Sequence, residues 1–170
     1  MRQHTDGKLF DHVTKPLTAL EEARVEHIPP GGDWEDLPNE IVRLKDGTWT
    51  KKLVYPVCPC KEKEPSAECI KRSNQRETLI PWFIEHSGDR NNGYTGLYGR
   101  VPKDGDFQTV TTNPRPDGKQ GRVLHPDQNR MLTVREFARA QGFPDHYRFC
   151  GTLAEKNCQV NLSHICSLTE

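Results

Sequence analysis

The sequence predicts an α+β fold, loop-rich, built from short β-hairpins with few short helices. Three observations lead there. Only 33% of the residues are hydrophobic, and the 13 Gly and 13 Pro break the chain into short runs. Two capping-box patterns each open a brief helix. Turn signals such as Asp46-Gly47 separate stretches of alternating polarity. With 170 residues the chain can enclose one domain with a modest core.

Taken in order, residues 1–15 are polar and unpatterned and are expected to form a disordered lead-in. Thr18-Ala-Leu-Glu21 is a capping box that opens a helix to about Glu26, which Pro29-Pro30-Gly31-Gly32 must end. Trp34 and Leu37 read as packing residues. From Glu40 to Tyr55 a hairpin is expected, with Ile41 and Arg43, then Trp49, Lys51, Leu53 and Tyr55, flanking a two-residue Asp46-Gly47 turn. A second strand pair, Leu97–Val101 with Phe107–Thr112, is expected around Pro102-Lys103-Asp104-Gly105. Pro116-Asp117-Gly118 is a further turn, leaving Lys119 and Gln120 on an exposed loop.

The most readable stretch runs from Arg130 to Asp145. Thr133 with Glu136 forms a capping box, and Leu132 with Phe137 stands at the hydrophobic-staple positions. Gly142 supplies a left-handed end and Pro144 prevents resumption. A helix from Val134 to Gln141 follows. Arg130, Arg135, Arg139 and Arg148 surround it, which on physical grounds alone reads as a surface helix with solvated arginines.

The net charge is zero, so the molecule as a whole gives no electrostatic reason to bind nucleic acid. Locally the balance shifts: residues 1–57 carry 8 basic and 10 acidic groups, residues 113–150 carry 7 and 4. No apolar run approaches the ~18 residues of a membrane span, and the N-terminus has no apolar signal core. An intracellular chain without membrane association is expected, and its six cysteines suggest a metal or free thiols. Cys58, Cys60, Cys69 and His86 could close a tetrahedral structural Zn²⁺ site, although the C-x-C spacing is tight and free thiols are an equal alternative. Cys150, Cys158 and Cys166 read as buried or incidental.

The words of the arginine-rich stretch carry a resemblance. Leu132-Thr133-Val134-Arg135-Glu136, Ala138-Arg139 and Gln141-Gly142-Phe143-Pro144-Asp145 resemble the ninth conserved motif of DNA (cytosine-5) methyltransferases. Thr111-Thr112-Asn113-Pro114 and Gly118-Lys119-Gln120-Gly121-Arg122-Val123-Leu124-His125-Pro126 resemble the target-recognition region of the family's animal maintenance enzymes. The likeness runs from about Pro16 to Val160 and implies residues 16–160 as a target-recognition region, an incomplete part of a Rossmann-type methyltransferase domain.

The resemblance further implies that Lys119 and Gln120 read a CpG step, for which donors reaching guanine O6 or N7 suit the chemistry; an ordinary solvated turn is the alternative. It implies phosphate contacts for Arg122, Arg130 and Arg139. Phe83, Ile84, Tyr94 and Leu97 align with an apolar concavity that accepts the parental methyl group, with a plain packing role open for Phe83 and Ile84. Zinc at Cys58, Cys60, Cys69 and His86 is implied as well. The partners expected are hemimethylated CpG duplex DNA and the catalytic core of the same enzyme, and the location is the nucleus.

Catalysis in this family needs a Pro-Cys-Gln nucleophile, a Glu-Asn-Val carboxylate and a Phe-x-Gly-x-Gly loop for S-adenosylmethionine. None of these words occurs in the sequence, so S-adenosylmethionine belongs to the complete enzyme only. After Val160 the likeness breaks off, as a missed splice junction would make it, and 161–170 are expected to be a divergent tail outside the fold. Three readings compete: a truncated methyltransferase, a stand-alone zinc-stabilised DNA-binding module, and a product that never folds stably.

Overall fold

The structure, a computed structural model, describes residues 9–54, 76–86, 94–107, 110–118 and 121–162, the side chains of Glu85 and His86 excepted. Among the described residues helices α1 (Ala19–His27), α2 (Phe83–His86), α3 (Val134–Ala140) and α4 (Leu153–Leu162) are joined by loops and by a 3-10 turn at Trp34–Asp36. Among the described residues β-structure is confined to isolated bridges: Arg43 with Trp49, Lys51 with Thr78, Arg100 with Leu124, and Leu124 with Met131. The core gathers around Val25, Leu97, Leu124, Val134 and Phe137, and α3 and α4 pack on each other.

Both expected capping boxes form. Thr18 Oγ1 accepts from the Glu21 amide at 3.3 Å while Glu21 accepts from the Thr18 amide at 2.8 Å. Thr133 and Glu136 repeat the arrangement at 3.2 and 2.8 Å. The end of α3 is a Schellman motif: Phe143 N–H donates to Ala138 O at 2.9 Å and Gly142 N–H to Arg139 O at 3.0 Å. Gly142 sits at φ +85 with open space where a Cβ would be, so its requirement is conformational rather than steric.

Nothing in the pattern of residues 1–15 predicts an ordered segment before Pro16, yet residues 9–15 form a strap across the start of α3. Val134 N–H donates to Val13 O and Arg135 N–H to Asp11 O, each at 3.0 Å, satisfying two amides that a helix start leaves orphaned. Asp11, at φ +58, takes three partners on its carboxylate: the Phe149 amide at 3.0 Å, Lys156 at 2.7 Å and Arg135 at 3.4 Å. The expected disordered lead-in is therefore corrected over 9–15. At the other end α4 runs through residues 161 and 162, the first two of the expected divergent tail, and the Asn161 amide nitrogen donates to Val110 O. Residues 163–170 lie outside the described residues.

The hairpin at 40–54 is shorter than expected. Its loop holds three residues, Lys45-Asp46-Gly47, closed by Gly47 N–H to Leu44 O at 3.0 Å and Leu44 N–H to Thr48 O at 2.8 Å. Gly47 at φ +88 is the bulge residue of that loop type. Ile41 and Trp49 point outward, each 60% exposed, whereas Thr50 turns inward at 2%. Beyond Thr50 the Asn39 carboxamide substitutes for a strand, giving to Leu53 O at 2.8 Å and accepting from Leu53 N–H at 2.7 Å.

Among the described residues the second expected strand pair does not form as written. Tyr94 and Tyr98 take left-handed backbone (φ +57 and +53), and Arg100 pairs with Leu124 instead of the 107–112 run. Buried arginines do there what a sheet ladder would do. Arg100, 3% exposed, donates to the carbonyls of Val25, Ile28, His125 and Gln128 and to Asn129 Oδ1, all within 3.0 Å. Arg24 donates to Leu79 O at 2.7 Å, Thr78 O at 2.8 Å and the Tyr98 hydroxyl. Arg135, fully buried, holds Phe10 O at 2.9 Å, Pro144 O at 3.0 Å and Tyr147 O. Buried carbonyls need donors, and one guanidinium offers five in a fixed fork. Reading Arg135 as a solvated surface arginine is thus corrected.

Candidate nucleic-acid interface

The loop that carries Lys119 and Gln120 is anchored on both sides, although those two residues themselves lie outside the described residues. Before it, Gly118 N–H closes the Pro116-Asp117 turn onto Arg115 O at 3.0 Å, and Tyr98 N–H reaches Pro116 O at 2.7 Å. Arg115 grips Asp117 with two bonds, at 2.9 and 2.6 Å. After it, Val123 and Leu124 both donate to Gly99 O, at 3.1 and 3.0 Å. Gly99 has to be glycine: a Cβ there would lie 2.6 Å from Arg122 Cγ and from Gly96 O.

The three arginines expected at phosphates are all engaged within the fold. Arg122 turns inward, bonding Gly31 O, Gly32 O at 2.6 Å and Arg100 O at 3.3 Å, with Asp33 at 3.7 Å. Its side chain is only 16% exposed, and these bonds tie the loop to the segment that follows α1. Arg130 makes a bidentate pair with Glu136 at 2.8 and 2.7 Å and reaches Met131 O at 3.0 Å. Arg139 pairs with Asp145 at 2.7 and 2.8 Å and remains 48% exposed. A phosphate would compete with a carboxylate at either of these two.

Electrostatics around Glu136 are strongly tuned. Burial pushes its carboxyl up, but Arg130 and the Thr133 amide and hydroxyl more than reverse this and hold it at about 2. His125 lies beside it, Nε2 3.6 Å from Glu136, while Nδ1 accepts from the amides of Asp127 and Gln128 at 3.0 and 3.1 Å. Burial, followed by the nearby Arg130 charge, pushes the imidazole below its usual value. A neutral His125 keeps the acceptor that shapes the 125–128 turn, whose carbonyls in turn hold Arg100.

The four residues expected around a methyl group come together. The Phe83 and Tyr94 rings meet edge to face at 5.8 Å, and Ile84, Tyr94 and Leu97 are buried in the same cluster. Only Phe83 retains partial exposure, so among the described residues this group is a packed patch of core. Of the expected zinc ligands, Cys58, Cys60 and Cys69 lie outside the described residues, as does the side chain of His86, whose backbone closes α2. Cys150 is exposed and Cys158 half-buried, both free thiols, and Cys166 is outside the described residues.

Two features escaped the sequence. Helix α4 carried a legible sign, Thr152-Leu-Ala-Glu155, a third capping box whose Thr152 amide donates to Glu155 at 2.7 Å. A cleft of about 230 Å³ between the strap and α4 carried none, because Lys15, Asn113 and Asn157 are far apart in sequence.

No helix among the described residues is long and apolar enough to cross a membrane. Comparison with known proteins completes the picture. A DNA (cytosine-5)-methyltransferase 1 from Gallus gallus is 50% identical over 170 residues, covering 89% of this chain and 11% of the relative. The Mus musculus protein of the same name is 47% identical over 175 residues, 92% of this chain and 11% of its own length. A DNA (cytosine-5)-methyltransferase 1A from Oryza sativa is 40% identical over 156 residues, 91% of this chain and 8% of the relative. The chain thus spans about a tenth of the length of the curated relatives it matches. Residues 10–161 match the C-5 cytosine-specific DNA methylase family, from the strap through the arginine-held loops to α4, and the chain belongs to that family.

Proposed function

We propose that this chain contributes target recognition to a DNA (cytosine-5) methyltransferase that maintains CpG methylation, and that it does not catalyse methyl transfer alone. One observation carries the reading. The family match covers residues 10–161, yet the sequence holds no Pro-Cys-Gln nucleophile, Glu-Asn-Val carboxylate or Phe-x-Gly-x-Gly loop. The S-adenosylmethionine and the reacting cysteine are then supplied by a catalytic core elsewhere in the enzyme, which acts in the nucleus on hemimethylated CpG duplex.

Within this reading Lys119 donates to guanine O6 or N7 and Gln120 offers both a donor and an acceptor to the neighbouring base edge. The turn at Pro116-Asp117-Gly118 and the Gly99 anchor fix the loop that presents them. Arg130 and Arg139 are the cations left for phosphate, at the cost of opening their carboxylate pairs, and Arg122 supports the loop from below. Phe83, Ile84, Tyr94 and Leu97 form the apolar wall for the parental methyl group. Three thiolates and an imidazole, Cys58, Cys60, Cys69 and His86, are a donor set suited to a closed structural Zn²⁺ site, which would tether the 55–75 segment to the end of α2.

A second reading, a stand-alone zinc-stabilised DNA-binding module, has one observation in its favour: the described residues enclose their own core, with Val25, Leu97, Leu124 and Ala138 fully buried. Fluorescence-anisotropy titration with CpG and scrambled duplexes at two salt concentrations tests recognition. Lys119→Ala with Gln120→Ala should abolish the CpG preference and leave much of the nonspecific, salt-sensitive binding. Equal loss on both duplexes would reduce the loop to a phosphate clamp. Labelled S-adenosylmethionine offered with hemimethylated DNA should leave the DNA unlabelled, and clear incorporation by the purified chain would overturn the non-catalytic assignment.

A further inference from the structure

We infer that the cleft between the strap and α4 is a nucleotide site, taking a base inward and its phosphate at the rim. The cleft measures about 230 Å³, below the roughly 300–1,000 Å³ of sites for drug-sized ligands, so it takes the base of a nucleotide and leaves the sugar and phosphate outside. Pro114, Met131 and Leu132 make a buried apolar floor, and Leu153 forms part of the wall toward α4. Apolar walls of this kind suit the two faces of a base.

The polar groups fix the chemistry. Asn157 lines the cleft at 9% exposure, and its carboxamide makes no hydrogen bond among the described residues. The carboxamide faces the cleft with both its donor and its acceptor unused among the described residues, and a base edge supplies a partner for each at once. Asn113 at the mouth carries a second carboxamide that is likewise unbonded among the described residues. Lys15, exposed at the rim and also without a partner among the described residues, is a cation where the phosphate of an inserted nucleotide would emerge. A peptide segment would use the apolar floor and the carboxamides but has no need of that ammonium, and the family to which the chain belongs is one of DNA methylases. The inference rests on that membership and is independent of CpG reading by Lys119 and Gln120.

The test is titration of isotope-labelled whole chain, followed by amide NMR, with each 2′-deoxynucleoside 5′-monophosphate, the matching nucleosides, inorganic phosphate and N-acetylleucinamide. At least one monophosphate should saturate, shifting the Asn157 side-chain amide and the Val13–Lys15 backbone. Lys15→Ala should weaken that monophosphate about tenfold and leave its nucleoside unchanged. Asn157→Leu should abolish binding. Asn157→Asp keeps the volume but loses the donor, so in a folded protein it should reorder the preference among bases. Four results each overturn the inference: no monophosphate saturates; phosphate alone reproduces every shift, making it an adventitious ion only; N-acetylleucinamide binds where nucleotides do not; or both Asn157 variants bind as the parent does. Loss of CpG preference on duplex DNA with nucleotide binding retained would remove the recognition reading and leave this one standing.

Discussion

Helix α3 is capped largely by its neighbours in sequence, while the loops around Gly99 are held by residues as many as 91 positions away, in the bond from Arg122 to Gly31 O. Both regions are buried, but apart from the Val134 and Arg135 amides, which the strap takes, the helix satisfies its own backbone and closes its ends with Thr133 and Gly142. The loops leave their carbonyls open, and Arg24, Arg100 and Arg122 fill them from a distance. A fold with so little β-ladder thus depends on a few side chains for what hydrogen-bonded strands do elsewhere, and the cost of losing one such side chain is correspondingly large.

The sharpest way to break the contrast is at Arg100. Arg100→Met should destabilise by about 3–5 kcal/mol, because several buried carbonyls lose their donor at once. Urea denaturation would measure this, and because the partners are carbonyls, added salt should leave the difference nearly unchanged. Arg100→Lys should recover less than half, since an ammonium cannot span four carbonyls in the guanidinium plane.

Acid probes the place where the two regions meet. His125 is held below its usual value, so its contribution is complete above pH 6.5 and is lost as pH falls through the lowered value. Glu136, depressed from 4.5 to about 2, contributes fully above 4.5 and loses that stability as pH falls toward 2, a loss of roughly 2–3 kcal/mol. Stability measured against pH should therefore fall in two stages. His125→Asn should remove the upper stage alone, and Glu136→Gln the lower.

The smallest effect compares two caps of identical sequence logic. Thr133, 2% exposed, also lies 3.2 Å from His12 Nδ1, whereas the Thr18 cap is solvent-exposed. Thr133→Ala should cost about 2 kcal/mol and Thr18→Ala about 0.5 kcal/mol, read from thermal melts. Equal costs would mean that tertiary surroundings add nothing to a local cap.

These differences explain what could be read in advance. The caps at Thr18 and Thr133, the stop at Gly142 and the turn at Pro116-Asp117-Gly118 are written within a few residues, so periodicity and turn chemistry found them. The Thr152–Glu155 cap is equally local and is legible in the same way. Arg24, Arg100, Arg122 and Arg135 were not legible in their roles, because an arginine at the surface and one that holds loops together have the same local signature. Ile41 and Trp49 were placed on a strand by alternation, but which face turned inward depended on Thr50 and the Asn39 carboxamide. For the candidate site, the order of the loop that bears Lys119 and Gln120 is readable as words, and the way Gly99 and Arg122 hold it is not.

The Asp11 carboxylate has a consequence in time. Its bond to Lys156 joins residues 145 apart, so chain closure there must wait until nearly everything between has condensed. A contact of such high sequence separation favours late docking of the strap, and its lifting is a local opening distinct from unfolding of the helix. Because the amides of Val134 and Arg135 donate to strap carbonyls, their hydrogen exchange reports the lifting of residues 11–13 rather than fraying of the helix to which they belong. A helix start would thus serve as a clock for the opening of a segment more than a hundred residues earlier in the chain.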